Sequence, residues 1–329
     1  SASLVGSEMC IRDRVVALAS VAGPTISGAI LSVASWPWLF AVNLPFGVLT
    51  FFLARRYLPG NPTRVEGRRF DFPSAVLNAL TFGLFIGCVE AFSHGLSFRW
   101  IVAGVVLLAG IGTVFVRRQL RQPYPMLPFD LLRIPVFSLS VLTSILSFTS
   151  QMLGMVALPF MFHLTFGMNA AETGLLMTAW PLVIVVAGPL AGTLATKIHP
   201  GLLGGVGLLL MSVGCFLLAD VSPSVGYGGL VARLMLCGFG FGLFQSPNNH
   251  LLLSSAPSYR TGGASGMQAT ARLVGQTTGA ALVALLFYLN GDRAPHAAMW
   301  LAGGFTLCGS LVSLSLIHIS EPTRLALIS

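Results

Sequence analysis

The sequence predicts an all-α protein, a polytopic bundle of transmembrane helices, on three observations. Of its 329 residues 55% are apolar and only 9% charged, and the mean hydropathy is +0.84, whereas a soluble domain carries about 25% charged residues. The apolar residues gather into successive runs of about 20, the length at which a helix rising 1.5 Å per residue crosses about 30 Å of hydrocarbon. The runs are uninterrupted, without the alternation of the roughly 10-residue strands that build barrels. Lipid offers no partners for backbone amides and carbonyls, so such runs satisfy them internally as helices.

Ten such runs fall at about residues 15–35, 38–54, 74–92, 100–116, 136–162, 173–195, 201–219, 228–251, 266–290 and 297–316. Arg55, Arg56, Arg64, Arg68 and Arg69 follow the second run, and Arg117, Arg118, Arg121 and Arg133 follow the fourth. Alternation places Lys197 and Arg260 on the same side, with only Arg99 and Arg293 opposite. Short loops rich in Lys and Arg stay in the cytoplasm, so both chain ends are expected there, with the helices in the cytoplasmic membrane and the lipid bilayer as their first partner.

The net charge of +8 does not point to nucleic acid, because no basic run is interleaved with aromatics. Five cysteines, Cys10, Cys88, Cys215, Cys237 and Cys308, show no paired spacing. Four of them lie in apolar runs, where cysteine packs as a small hydrophobe, so neither a disulfide nor a metal site is expected. A membrane-embedded transferase needs clustered carboxylates or histidines. The acids here are scattered singly, and no enzyme is expected.

Several motifs stand on these runs. Residues 21–31 read VAGPTISGAIL, with Gly23 and Pro24 in mid-helix and Gly28 about a turn later. Small residues let another helix approach, and the proline removes one backbone hydrogen bond and bends its helix. A plain packing kink fits that motif equally well. Residues 187–197 (AGPLAGTLATK) end a run in a short turn bounded by Gly192 and Lys197. Residues 238–249 read GFGFGLFQSPNN; helical phase puts Gly238, Gly242, Gln245 and Asn249 on one stripe, with Asn248 beside it. The glycines permit tight packing, and the amides offer hydrogen bonds to a cavity or to a neighbouring helix. In residues 272–280 (RLVGQTTGA) the same phase joins Arg272, Gln276 and Gly279, together with Gln268 before them.

In their order along the chain these motifs resemble spans five to fourteen of the fourteen-span drug:proton antiporters of the major facilitator superfamily, the methyl viologen and quaternary ammonium efflux type. Residues 21–31 resemble the antiporter motif GPxxGG, with Ser27 in place of one glycine, and residues 36–47 (WPWLFAVNLPFG) resemble its W-x-W-x-F-x-x-N-x-P-x-G signature. Residues 70–73 (FDFP), 125–133 (PMLPFDLLR) and 158–181 match in sequence order. Residues 187–197 resemble the cytoplasmic G-x-L-A-D-R turn, with Thr196 and Lys197 for its last two residues, and residues 272–280 resemble R-x-x-G-Q-x-x-G-A.

The resemblance implies a major facilitator fold lacking its first four spans. Residues 15–57 would close the N-terminal bundle, 58–121 would hold a cytoplasmic loop and two inserted spans, and 122–314 would form the C-terminal six-span bundle. Residues 1–14, through SEMCIRDR, and the tail 315–329, SLIHISEPTRLALIS, resemble translated sequencing-adapter sequence and are expected to be non-native. The implied activity is export of amphipathic or quaternary cations by a monomer, in exchange for protons, with the proton gradient as energy source and no cofactor. The family's coupling carboxylate and arginine belong to its first and fourth spans, so the chain alone is expected not to transport. A facilitator of another substrate class, such as a metabolite importer, is the alternative.

Charges within a span cost about 2.5–3.5 kcal/mol each on insertion scales, which makes Glu90, Arg233 and Arg272 candidates. Glu90 and Arg233 are placed near the outer interface, where reaching water explains them as well as function does. Arg272 is expected to face inward. His163, His250 and Glu172 are expected at interfaces.

Overall fold

The computed structural model describes residues 37–57, 71–93, 97–122, 127–222, 224–257 and 260–325, together with Ile26, Ile30, Ser35 and Pro125. Every regular element among them is helical. α1 (Trp38–Ala41) continues through Val42 into α2 (Asn43–Tyr57), and α3 (Phe72–Ser93) precedes α4 (Phe98–Arg121). A 3-10 turn, Phe129–Arg133, leads to α5 (Pro135–Phe166), whose first turn begins on a proline that has no amide to leave unsatisfied. Then follow α6 (Ala170–Met177), α7 (Ala179–Leu194), α8 (Pro200–Ala219), α9 (Tyr227–Ser254), α10 (Thr261–Asn290) and α11 (Ala294–Leu325).

Seven stretches of described residues are long and apolar enough to cross a membrane, and the last of them, Thr261–Ile317, holds both α10 and α11. With the shorter apolar stretch Phe72–Cys88 in α3, nine of the ten expected spans are present. The remaining one, residues 15–35, lies outside the described residues except for three isolated positions, and with it Gly23, Pro24 and Gly28.

Two boundaries differ from the sequence reading. The sixth run is not one helix: it breaks after Met177, because Pro181 has no N–H for the Met177 carbonyl and its ring crowds that oxygen. α11 runs on to Leu325 instead of finishing near residue 316.

α5 packs on α10 and α11, α8 on α9 and α11, and α7 on α9, so α5 to α11 form one bundle. Its main core gathers Leu153, Leu158, Met161, Trp180, Met211 and Leu234. A second core, at the end where α5 starts and α9 finishes, joins Phe115 of α4 to Leu131, Phe137, Leu252 and Met267. α3 and α4 pack on each other and reach the bundle through α10 and the 3-10 turn. No residue of α1 or α2 is buried.

Candidate functional site

α9 is held on three sides at backbone distance. A Cβ on Gly238 would run into the Trp180 carbonyl of α7, and one on Gly242 would lie 2.6 Å from the Ala187 Cβ. On the α8 side, a Cβ on Gly240 would lie 2.5 Å from the Gly207 carbonyl oxygen. Alternate glycines of GFGFG therefore serve different neighbours, and Phe241 between them meets Phe148 of α5 edge to face at 5.5 Å. α10 repeats the device against α5: Cβ atoms on Gly275 and Gly279 would lie 2.7 and 2.5 Å from the Ile145 and Thr149 carbonyl oxygens. Small residues are what let helices approach this closely in lipid, where apolar burial gives no drive toward association.

The third side of α9 is polar. The Asn248 amide donates to Ser144 Oγ at 2.8 Å and to the Ser140 carbonyl at 3.3 Å, and its oxygen accepts from Thr143 Oγ1 at 3.1 Å. Asn248, Ser140, Thr143 and Ser144 are all buried. Both ends of the Asn248 amide are satisfied within the protein, so Asn248 joins α9 to α5. Gln245 and Asn249, on the neighbouring stripe with Gly238 and Gly242, are only half buried.

The other sequence candidates are dispersed. Gln276 is half buried on α10, and Arg272, expected to face inward, is exposed among the described residues. Arg233 is half buried near the start of α9, with its Nη1 enclosed and unpartnered among the described residues. Glu90 belongs to the last turns of α3. Gly192 is half buried near the end of α7, 3.9 Å from Ser246 Oγ by its would-be Cβ, and Lys197 is exposed in the turn that follows. His163 and Glu172 serve the α5–α6 turn: Gly167 caps α5 at φ 65°, His163 Nδ1 meets the Met168 carbonyl at 3.1 Å, and Glu172 and Asn169 form a reciprocal capping box.

Two ionic ties that have no role in the motif reading sit at the arginine-rich end. Asp71 accepts from Arg118 at 3.0 Å, from the Ser74 amide at 3.3 Å and from Gln122, fastening the start of α3 to the end of α4. Hydrogen bonds from Ser74 and then Gln122, with Arg118 behind them, hold its carboxyl well below the usual carboxylate range. Asp130 of the 3-10 turn accepts from Arg260 at 2.9 Å, tying the approach to α5 to the start of α10. Both acids belong to motifs visible in the sequence, FDFP and PMLPFDLLR. Their partners lie 47 and 130 residues away, and no spacing rule links them.

Against this geometry, the family model described as Major Facilitator Superfamily matches residues 11–277 and 139–328. The chain belongs to the major facilitator superfamily. Among curated facilitators it is 50% identical over 309 residues to the uncharacterized transporter YebQ of Escherichia coli, covering 94% of the chain and 68% of YebQ. It is 27% identical to the riboflavin transporter RibZ of Clostridioides difficile, covering 86% of the chain and 61% of RibZ. To the multidrug efflux pump LfrA of Mycolicibacterium smegmatis it is 28% identical, covering 82% of the chain and 53% of LfrA. A crystal structure of a POT family transporter shares the fold, with a TM-score of 0.61 at 17% identity, over 94% of the chain and 68% of that structure. The chain thus spans between about half and two thirds of the proteins it matches.

Proposed function

We propose that these helices belong to an exporter that moves amphipathic cations out of the cell in exchange for protons. The observation that carries this reading is the contrast on α9: Asn248 is spent on α5, while Gln245 and Asn249, one turn apart beside the close α7 contact, keep half-exposed amides. In facilitators the substrate site lies near the bilayer midplane between the repeats. Amide oxygens offer a large, weakly hydrated cation a dipole without asking for a buried counter-charge. Consistent with this, the acids between residues 135 and 290 are Glu172 and Asp220, both at helix ends. Gln245, Asn249 and Gln276 are the residues assigned to the substrate path, and Arg233, Arg272 and Glu90 are the charged groups available for gating or coupling. The relative named as a multidrug efflux pump supports the substrate class.

The relative named as a riboflavin transporter, with similar identity, favours a second reading, carriage of a neutral aromatic metabolite by the same amides. Cells stripped of their own exporters and expressing the complete gene separate the two. Drug export predicts lower ethidium and methyl viologen accumulation, reversed by a protonophore and weakened by Gln245→Ala with Asn249→Ala. Unchanged dye content alongside altered flavin content would move the assignment to vitamin transport.

A further inference from the structure

The end of α4 carries three arginines that the fold treats differently. Arg118 turns toward α3, donating to Ser74 Oγ at 3.1 Å and to Asp71 at 3.0 Å. Arg117 and Arg121, one helical turn apart on the same row, are both exposed, and neither has an ion-pair partner among the described residues. Like charges at this spacing repel, so the pair is a ready receptor for an anion.

Depth in the membrane narrows the kind of anion. Trp100, exposed at the other end of α4, is the residue type that settles at the membrane interface. From Trp100 to Arg117 the helix rises about 25 Å, against about 30 Å of hydrocarbon. Arg117 and Arg121 therefore stand in the headgroup layer on the arginine-rich side. Below them on the same face, Ala109, Gly112, Thr113 and Val116 line, with Arg117, a shallow open groove of about 470 Å³. Gly112 borders α3, its would-be Cβ 3.9 Å from Thr81 Cγ2. The groove runs from the Arg117 guanidinium, one turn before Arg121, into the apolar layer, which suits a molecule with a charged head and a hydrocarbon chain and is of no use to a free ion.

We propose that this face of α4 seats one anionic phospholipid, its phosphate held by Arg117 and Arg121 and an acyl chain lying along Ala109, Gly112, Thr113 and Val116. Guanidinium groups pair with phosphate oxygens in a fixed fork, and basic pockets beside membrane helices select anionic headgroups. α3 and α4, which pack on the bundle chiefly through α10, the 3-10 turn and the core around Phe115, thereby gain a role as a lipid-anchored flank.

Native mass spectrometry of the purified protein, titrated with phosphatidylglycerol and with phosphatidylcholine of matched chains, tests this. One phosphatidylglycerol should be retained in preference to phosphatidylcholine. Arg117→Gln with Arg121→Gln should weaken its retention by about 30-fold, at roughly 1 kcal/mol per arginine. Ala109→Phe with Thr113→Phe, which fills the groove and keeps the charges, should weaken it as well, while Arg55→Gln with Arg56→Gln at the end of α2 should leave it unchanged. Equal loss in the Arg55 and Arg56 variant, or full retention in the filled groove, would reduce the effect to general charge attraction and overturn the site. Displacement of the lipid by millimolar inorganic phosphate would overturn it in favour of a free-anion site.

Discussion

Asn248 and Asn249 are neighbours in sequence with opposite environments. Asn248 makes three hydrogen bonds to α5 in a buried seam, so Asn248→Ala removes that link between the helices, while the Ser144 and Thr143 hydroxyls keep their bonds to the Ser140 carbonyl. A thermal unfolding series in detergent should show a loss of about 1–2 kcal/mol, the range of an interhelical polar contact in lipid. Asn249→Ala, by contrast, should leave the melting temperature unchanged and reduce export. Gly275→Leu should prevent α10 from docking, since even a Cβ there meets the Ile145 carbonyl at 2.7 Å, and loss of the folded monomer peak in size-exclusion chromatography reads that out. Helical phase was enough to align Gln245 and Asn249 with the glycines. It could not tell Asn248 from Asn249, because that choice is made by a serine and threonine stripe on α5 more than 100 residues away. Phase likewise put Arg272 with its glutamines but did not say which face α10 turns to α5; Gly275 and Gly279 decide that, and Arg272 is left exposed.

Between elements, the ionic ties set the behaviour at the arginine-rich end. Folding lowers the Asp71 pKa, so the ionised form is favoured in the folded state. Its contribution is complete above the unfolded value of about 4 and is lost as pH falls below it. Protection of the Ser74 amide, after correction for the intrinsic exchange rate, should therefore be constant from about pH 5 to 8 and fall below about 4, while Asp71→Ala should lower it throughout and remove the pH response. For Asp130 and Arg260, a double-mutant cycle should give a coupling of about 1 kcal/mol, as fits a half-exposed pair. Exchanging the two charges should restore most of what either single reversal removes. Nine of the ten expected spans and most of their limits among the described residues were legible because a run of apolar residues is a local property. The break at Met177 was legible in principle from Pro181, whereas the pairing of Asp71 with Arg118 depends on how α3 meets α4 and leaves no trace in spacing.

At the scale of the molecule, glycine-on-backbone contacts join α9 to α7 and α8, and α10 to α5; with the packing of α11 on α5 and α8 and the Asn248 seam, α5 to α11 should move as one body. The described helices of that body carry polar side chains of two kinds, those closed within it and those left half exposed on α9 and α10. The family was legible from motif order, since each signature is a short, local run of residues. Substrate class was less so, because relatives named for drugs and for riboflavin match at nearly the same identity. The most direct test of proton-coupled cation export is tetraphenylphosphonium movement in proteoliposomes of the purified complete protein under an imposed pH gradient. Proton-coupled export predicts accumulation against the cation's own gradient with counterflow of protons, abolished when the pH gradient is collapsed and weakened by Gln245→Ala with Asn249→Ala. Cation movement that ignores the pH gradient, or none at all from a folded protein, would contradict it.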